Sequence, residues 1–145
     1  MLFWLIKSVH LLAAIAFFGT LFYQLLIMPA ALRGLSDTQR QAAELALAAC
    51  TRQLLHWVVG LLYGAGFYLA WHYRSLLGAA PEVLAGLLLW LKIGLALSIV
   101  VHYGALAWLR RSGQMTARRE ARLLYAVLAQ MVLIVLLAKG LFVFA

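Results

Sequence analysis

Residues 88–104 read LLWLKIGLALSIVVHYG. Apart from Lys92, Ser98 and His102, every position is aliphatic, aromatic or glycine. A surface helix of a soluble protein keeps a polar face opposite its apolar stripe, and this segment has none. An unbroken apolar run is what a helix needs to cross a ~30 Å hydrocarbon layer, which takes ~20 residues. The stretch therefore reads as part of a transmembrane helix, with a lysine in its middle and a histidine ten residues later.

Three further runs share this character. Together the four spans cover about 2–32, 54–73, 83–109 and 123–144, the first closing at Pro29 and the Arg33-Gly34 turn. Composition agrees: 67% of the 145 residues are hydrophobic, 11% are charged, and the mean hydropathy is +1.00. A soluble domain carries charge on about a quarter of its residues. The expected fold is all-α, an integral membrane four-helix bundle forming a single transmembrane domain over residues 1–145. There is no internal repeat or low-complexity tract. The start reads as a span and not as a cleavable signal, because its apolar stretch is too long and carries His10.

The connections are informative. Residues 38–53 read as a cytoplasmic helical extension of the second span, with Ser36 or Asp37 as its cap and Glu44 near its first turn. The segment RSLLGAAPE, residues 74–82, reads as a short turn with Pro81 placed to start the third helix. The segment RRSGQMTARREAR, residues 110–122, is the most basic part of the chain. The first and third connections lie on one side of the membrane and carry Arg33, Arg40, Arg52, Arg110, Arg111, Arg118, Arg119 and Arg122. The other side has Arg74, with Lys7 and Lys139 near helix ends. Positive charge accumulates on the cytoplasmic side, so both termini are expected outside, in the periplasm of a bacterial inner membrane. The net charge of +8 is thereby assigned to membrane topology and not to nucleic acid. The single cysteine, Cys50, excludes an internal disulfide and any CxxC metal or redox motif.

Polar residues at membrane depth usually mark function. His10 lies about 13 Å in from the chain start, and Lys92 about 15 Å beyond Glu82, by the ~1.5 Å helical rise. Both are expected at one level of the outer half. His102, about 12 Å from Arg110, and His56, about 6 Å from Arg52, are expected in the inner half. His72 reads as an interfacial residue, and Lys139 can snorkel outward. No carboxylate is embedded in the spans to pair with Lys92. Its acceptor is then backbone carbonyls, water or an anionic ligand such as a porphyrin propionate. Alternatively, desolvation keeps the amine neutral, able to ligate a metal or exchange protons. The small pairs Gly60-LLY-Gly64 and Gly94-LAL-Ser98, with Gly19, read as close helix packing or as a flat face for a cofactor. The five tryptophans and six tyrosines near span ends read as an interfacial belt. Soft copper would seek sulfur or imidazole, but Met28, Met115 and Met131 form no paired Met motif; Met131 and Gln130 are the copper candidates at depth in the fourth span.

Two stretches carry a family resemblance. WLIKSVHLLAAIAFFGTLFY, residues 4–23, resembles the first helix of the HemJ-type protoporphyrinogen oxidases and the related CopD-like membrane proteins. WLKIGLALSIVVHYGALAWLRR, residues 90–111, resembles their third helix, with a Lys and a His ten residues on before basic residues. The resemblance implies a four-helix membrane protein that binds haem b and is an oxidoreductase of porphyrin biosynthesis, removing six electrons and protons from protoporphyrinogen IX and passing electrons toward the respiratory chain. It implies functional roles for His10 and Lys92, with His102 a further recurrent histidine. Haem-iron candidates are then His10 and His102, and the cofactor-binding set is His10, His56, Lys92 and His102. QLLIMPAALRG and ARREARLL stand where those oxidases carry other elements, which draws the chain toward the CopD-like group, associated with copper handling. Two other readings stay open: copper transport or homeostasis, and an accessory subunit of a larger membrane redox complex. The partners implied are the lipid bilayer, a porphyrin or quinone-linked electron carrier, and further copies or subunits.

Overall fold

The computed structural model describes residues 1–80 and 82–144, with the side chains of 141–144 excepted. The chain is all-α. Helix α1 spans Leu2–Phe22, a π turn follows at Tyr23–Ile27, then a short α2 at Met28–Ala31 and a 3₁₀ turn at Leu32–Gly34. Helices α3 (Asp37–His72), α4 (Arg74–Gly78), α5 (Leu84–Arg111) and α6 (Ala117–Phe144) complete it. Four segments are long and apolar enough to cross a membrane: Leu2–Gly34, Asp37–His72, Leu84–Arg111 and Ala117–Gly140. This is the expected class, a chain compatible with a multi-pass membrane protein.

The elements differ from the sequence reading at the end of the first span, at the start of the fourth helix and at α4, while the helical extension of the second span is present as expected. Pro29 does more than end the first span. Its ring and missing N–H disturb the ladder one turn upstream, and the Met28 N–H reaches back to the Tyr23 carbonyl, an i→i−5 bond. The extension and the second span form one helix, since residues 38–53 contain neither glycine nor proline. The fourth helix begins at Ala117, well inside the basic connection, because Thr116 caps it: its hydroxyl accepts from the Arg119 N–H at 3.3 Å. The turn-like second connection contains α4. Pro81 lies outside the described residues.

The chain divides into two compact units, Met1–His72 and Tyr73–Ala145. In the first, α1 and α3 pack antiparallel. Phe3 meets His72 with ring centroids 4.4 Å apart, and His10 meets Leu62. Ala13, Phe17 and Leu21 are the buried stripe of α1, at three- to four-residue spacing. In the second unit α5 and α6 are antiparallel in one consistent register. Arg110 pairs with Glu120, Ser98 with Gln130, and Leu88 touches Gly140. Large apolar side chains such as Trp4 (76% exposed), Trp57 (74%) and Phe67 (75%) point outward. Such a surface suits lipid and not water.

Of the small residues singled out in the sequence, Gly19, Gly60, Gly64 and Gly94 have nothing within 4 Å of where a Cβ would stand. Close packing is instead at Gly86, where an added Cβ would meet the Leu76 carbonyl at 2.7 Å and Ala80 Cβ at 3.1 Å. There α4 folds back on α5, and the Trp90 Nε1–H donates to the Leu77 carbonyl at 3.1 Å to hold it. We expect Gly86→Ala to lower the unfolding midpoint in detergent, at a cost of about 1–3 kcal/mol. Gly94→Ala, in open space, should be neutral or gain up to about 1 kcal/mol from helix propensity. Equal effects of the two would contradict the packing described.

Candidate functional site

His10 is the residue best placed by its surroundings. It faces α3, half-buried, and its Nδ1–H donates to the main-chain carbonyl of Leu62 at 3.0 Å. A carbonyl can only accept, so Nδ1 carries the proton and the lone pair of the neutral ring sits on Nε2. The ring fits because residue 66 has no side chain. A Cβ on Gly66 would stand 3.2 Å from His10 Cε1 and 3.5 Å from Nδ1. Neither Leu62 nor Gly66 stood out in the sequence. The partner is main chain, and Gly66 belongs to none of the small-xxx-small pairs.

The other histidines are tied within their own helices. His56 Nδ1–H donates to the Arg52 carbonyl at 2.7 Å, and His102 Nδ1–H to the Ser98 carbonyl at 2.8 Å. In each the lone pair is again on Nε2. His56 is exposed, and the His10 contact lies six residues further along α3, about 9 Å by helical rise, so these two are not brought together. His72 sits between Phe3 and Tyr68, at ring centroid distances of 4.4 and 6.5 Å, in an aromatic group at the end of the first unit.

In the second unit Lys92 is half-buried. It falls seven residues from Ala85 and seven from Ile99, and Leu106 follows at the same interval. Those three are 2–3% exposed, so Lys92 occupies the buried stripe of α5 and not its outer face. His102 lies ten residues on, about 15 Å along the axis and about 80° round it. Beside it, Ser98 accepts from Gln130 Nε2 at 3.1 Å, joining α5 to α6 at depth. Gln130 Oε1 is buried and has no partner among the described residues. Exchanging the amide atoms would only move the orphan to the other end.

Elsewhere along the same helix pair runs a shallow apolar groove of about 290 Å³, which His10 does not line. Leu5, Ile6 and Val9 form its α1 wall, with Gly60, Gly64 and Tyr68 on α3. The glycines singled out as a flat face thus line open space in the unit that carries His10. Among the described residues no three His, Cys, Asp or Glu side chains form a metal-ion cage. Met131 is buried in α6, roughly four turns from Met115 in the α5–α6 connection, so these two do not pair. The chain matches no family model, no curated protein and no solved structure.

Two measurements test this geometry. In ¹⁵N-histidine NMR, His10, His56 and His102 should all show a protonated Nδ1, and Gly66→Ala should perturb His10 alone. A His10 signal protonated at Nε2 would refute the assignment. For Gln130→Leu, the lost interhelical bond is worth ~0.6 kcal/mol in a membrane. The orphaned buried acceptor costs ~1–3 kcal/mol. The substitution should therefore leave stability unchanged or raise it, by up to about 2 kcal/mol. A large loss would mean that Oε1 has a donor in the membrane.

Proposed function

We propose that the chain is a haem-b-binding redox protein of the bacterial inner membrane, with both termini on the periplasmic side. It takes electrons from a porphyrinogen or similar reduced donor and passes them toward a quinone-linked carrier of the respiratory chain. The observation that supports this reading is the state of His10. Metal-ligating histidines commonly donate the far ring N–H to a carbonyl, which fixes the tautomer and aims the remaining nitrogen. His10 does this through Leu62, with Gly66 making the room.

The donor count favours haem over a protein-caged copper ion. A porphyrin brings its own equatorial nitrogens and asks the protein for one or two axial ligands. A copper ion held by side chains alone needs two or more sulfur or imidazole donors brought together. Within each unit, among the described residues, no two imidazoles at depth are brought together, which suits the first demand. His10 and His102 are the candidate axial ligands, and His56 a further imidazole for the cofactor. The haem supplies one-electron chemistry, tuned by ligand identity and burial. The protein's own part is separate. Lys92, on the buried stripe of α5, supplies a cation for a ligand carboxylate or, when neutral, a base that accepts substrate protons. The topology rests on the eight arginines of the first and third connections.

Protein purified from haem-supplied cells should show a Soret band. Gly66→Ala, which disturbs the partner of the ligand and not the ligand, should reduce haem retention about ten- to hundredfold. His10→Ala should reduce it further, and Lys92→Ala should reduce turnover of a porphyrinogen donor more than haem content. A colourless wild-type protein, or unchanged spectra and turnover in both His10→Ala and Lys92→Ala, would end this reading.

A further inference from the structure

The connection between α5 and α6 is a hydrogen-bonded frame that leaves three arginines without an acceptor among the described residues. Helix α5 ends in a Schellman turn: the Gln114 N–H reaches the Leu109 carbonyl at 3.0 Å and the Gly113 N–H reaches Arg110 at 3.3 Å. Gly113 takes φ 67°, the left-handed conformation that this turn requires. Thr116 then caps α6, Arg110 pairs with Glu120 across the turn, and Arg119 Nη1 donates to the Gln114 carbonyl at 2.9 Å. Two of the five arginines in residues 110–122 thus build the turn, and the one acid there is consumed by Arg110. Arg111, Arg118 and Arg122 are exposed and have no acceptor among the described residues.

The other basic connection differs. Residues 33–52 carry three arginines against two acids, and Arg40 is engaged by Asp37 at 3.2 Å and by Glu44 at 3.9 Å. Local charge is nearly balanced there, whereas residues 110–122 carry five arginines against one acid. Arg111 is the last residue of a membrane-spanning helix, and Arg118 and Arg122 lie one turn apart on a face of α6 at the start of the next. The three guanidiniums therefore stand at headgroup depth. The bonds of the turn fix the backbone that carries these like charges at the ends of two successive helices. Phosphate accepts bidentate bonds from guanidinium and relieves that repulsion.

We propose that the α5–α6 turn is a binding site for the phosphate of an anionic phospholipid, held by Arg111, Arg118 and Arg122. The site is independent of the haem chemistry and uses none of its ligands, sharing with that reading only the arginines that set the topology.

The test reconstitutes the full chain in an equimolar mixture of phosphatidylglycerol and phosphatidylcholine, re-extracts it gently, and counts co-purifying lipid by mass spectrometry. Wild type should retain phosphatidylglycerol in several-fold excess. The variant Arg111→Gln/Arg118→Gln/Arg122→Gln should lose that excess and retain the two lipids in equal amounts. The variant Arg33→Gln/Arg40→Gln/Arg52→Gln removes the same charge elsewhere and should keep it. Equal retention of the two lipids by wild type would overturn the proposal without recourse to any variant. An equal fall in both triple variants would also overturn it, by assigning retention to net charge. Inorganic phosphate should displace no more lipid than sodium chloride of equal ionic strength; selective displacement would assign the site to soluble phosphate instead.

Discussion

The hydrogen bond from His10 to the Leu62 carbonyl sets both the packing of the first helix pair and the chemistry available there. In hydrocarbon every backbone carbonyl must be satisfied within the protein, and an α-helix already does so through its i→i−4 ladder. A ladder carbonyl still has a second lone pair, so it can accept an imidazole N–H without loss of helix. The geometric demand is close approach, and Gly66, one turn beyond Leu62, meets it. One contact thus joins α1 to α3, orients the ring and decides which nitrogen carries the proton.

Much of the fold was legible because the bilayer simplifies the code. Apolar runs of sufficient length become helices, and arginine-rich segments become connections. What escaped the sequence was set by faces and by main chain. The Gly60/Gly64 spacing announces a small-residue face, but spacing does not say which face meets a neighbour. Gly66 lies about 200° round the helix from Gly64 and is the one that touches α1. The start of α6 escaped for a related reason. Thr116 and Glu120 begin the helix among arginines, before the apolar signal rises. Pro29 was visible as a terminator, but the widened turn it forces upstream depends on how the ladder yields.

His10, Lys92 and His102 were legible as polar residues at depth, and the structure gives each a distinct local setting. Polar groups along α5 sort by position. Lys92 shares a stripe with Ala85, Ile99 and Leu106; Ser98 and His102 meet Gln130 or their own helix; Arg110 and Arg111 close the span. A charge at the centre of a membrane helix costs about 2.5–3.5 kcal/mol even on the mildest scale. The Ser98–Gln130 bond, at ~0.6 kcal/mol, recovers only a fraction of such a cost.

The setting of Lys92 bears on the proposed function. All four acidic residues, Asp37, Glu44, Glu82 and Glu120, stand outside the central parts of the spans, and three of them lie at helix starts or turns. Lys92 thus has no carboxylate of this chain on its own span or on α6 at its depth. A protein that needed only stability would place leucine on that stripe, as it does at Leu106. A lysine there is better matched to a ligand that brings its own negative charge, or to a proton that must be taken up away from water. Under the proposed function both demands would be met by a porphyrin-like ligand with carboxylate substituents and a redox reaction that releases protons, whereas a charged ammonium would oppose the positive charge of a bare copper ion. In the two proposals the same charge logic places anions of a cofactor or substrate at depth and anions of the lipid at the α5–α6 turn.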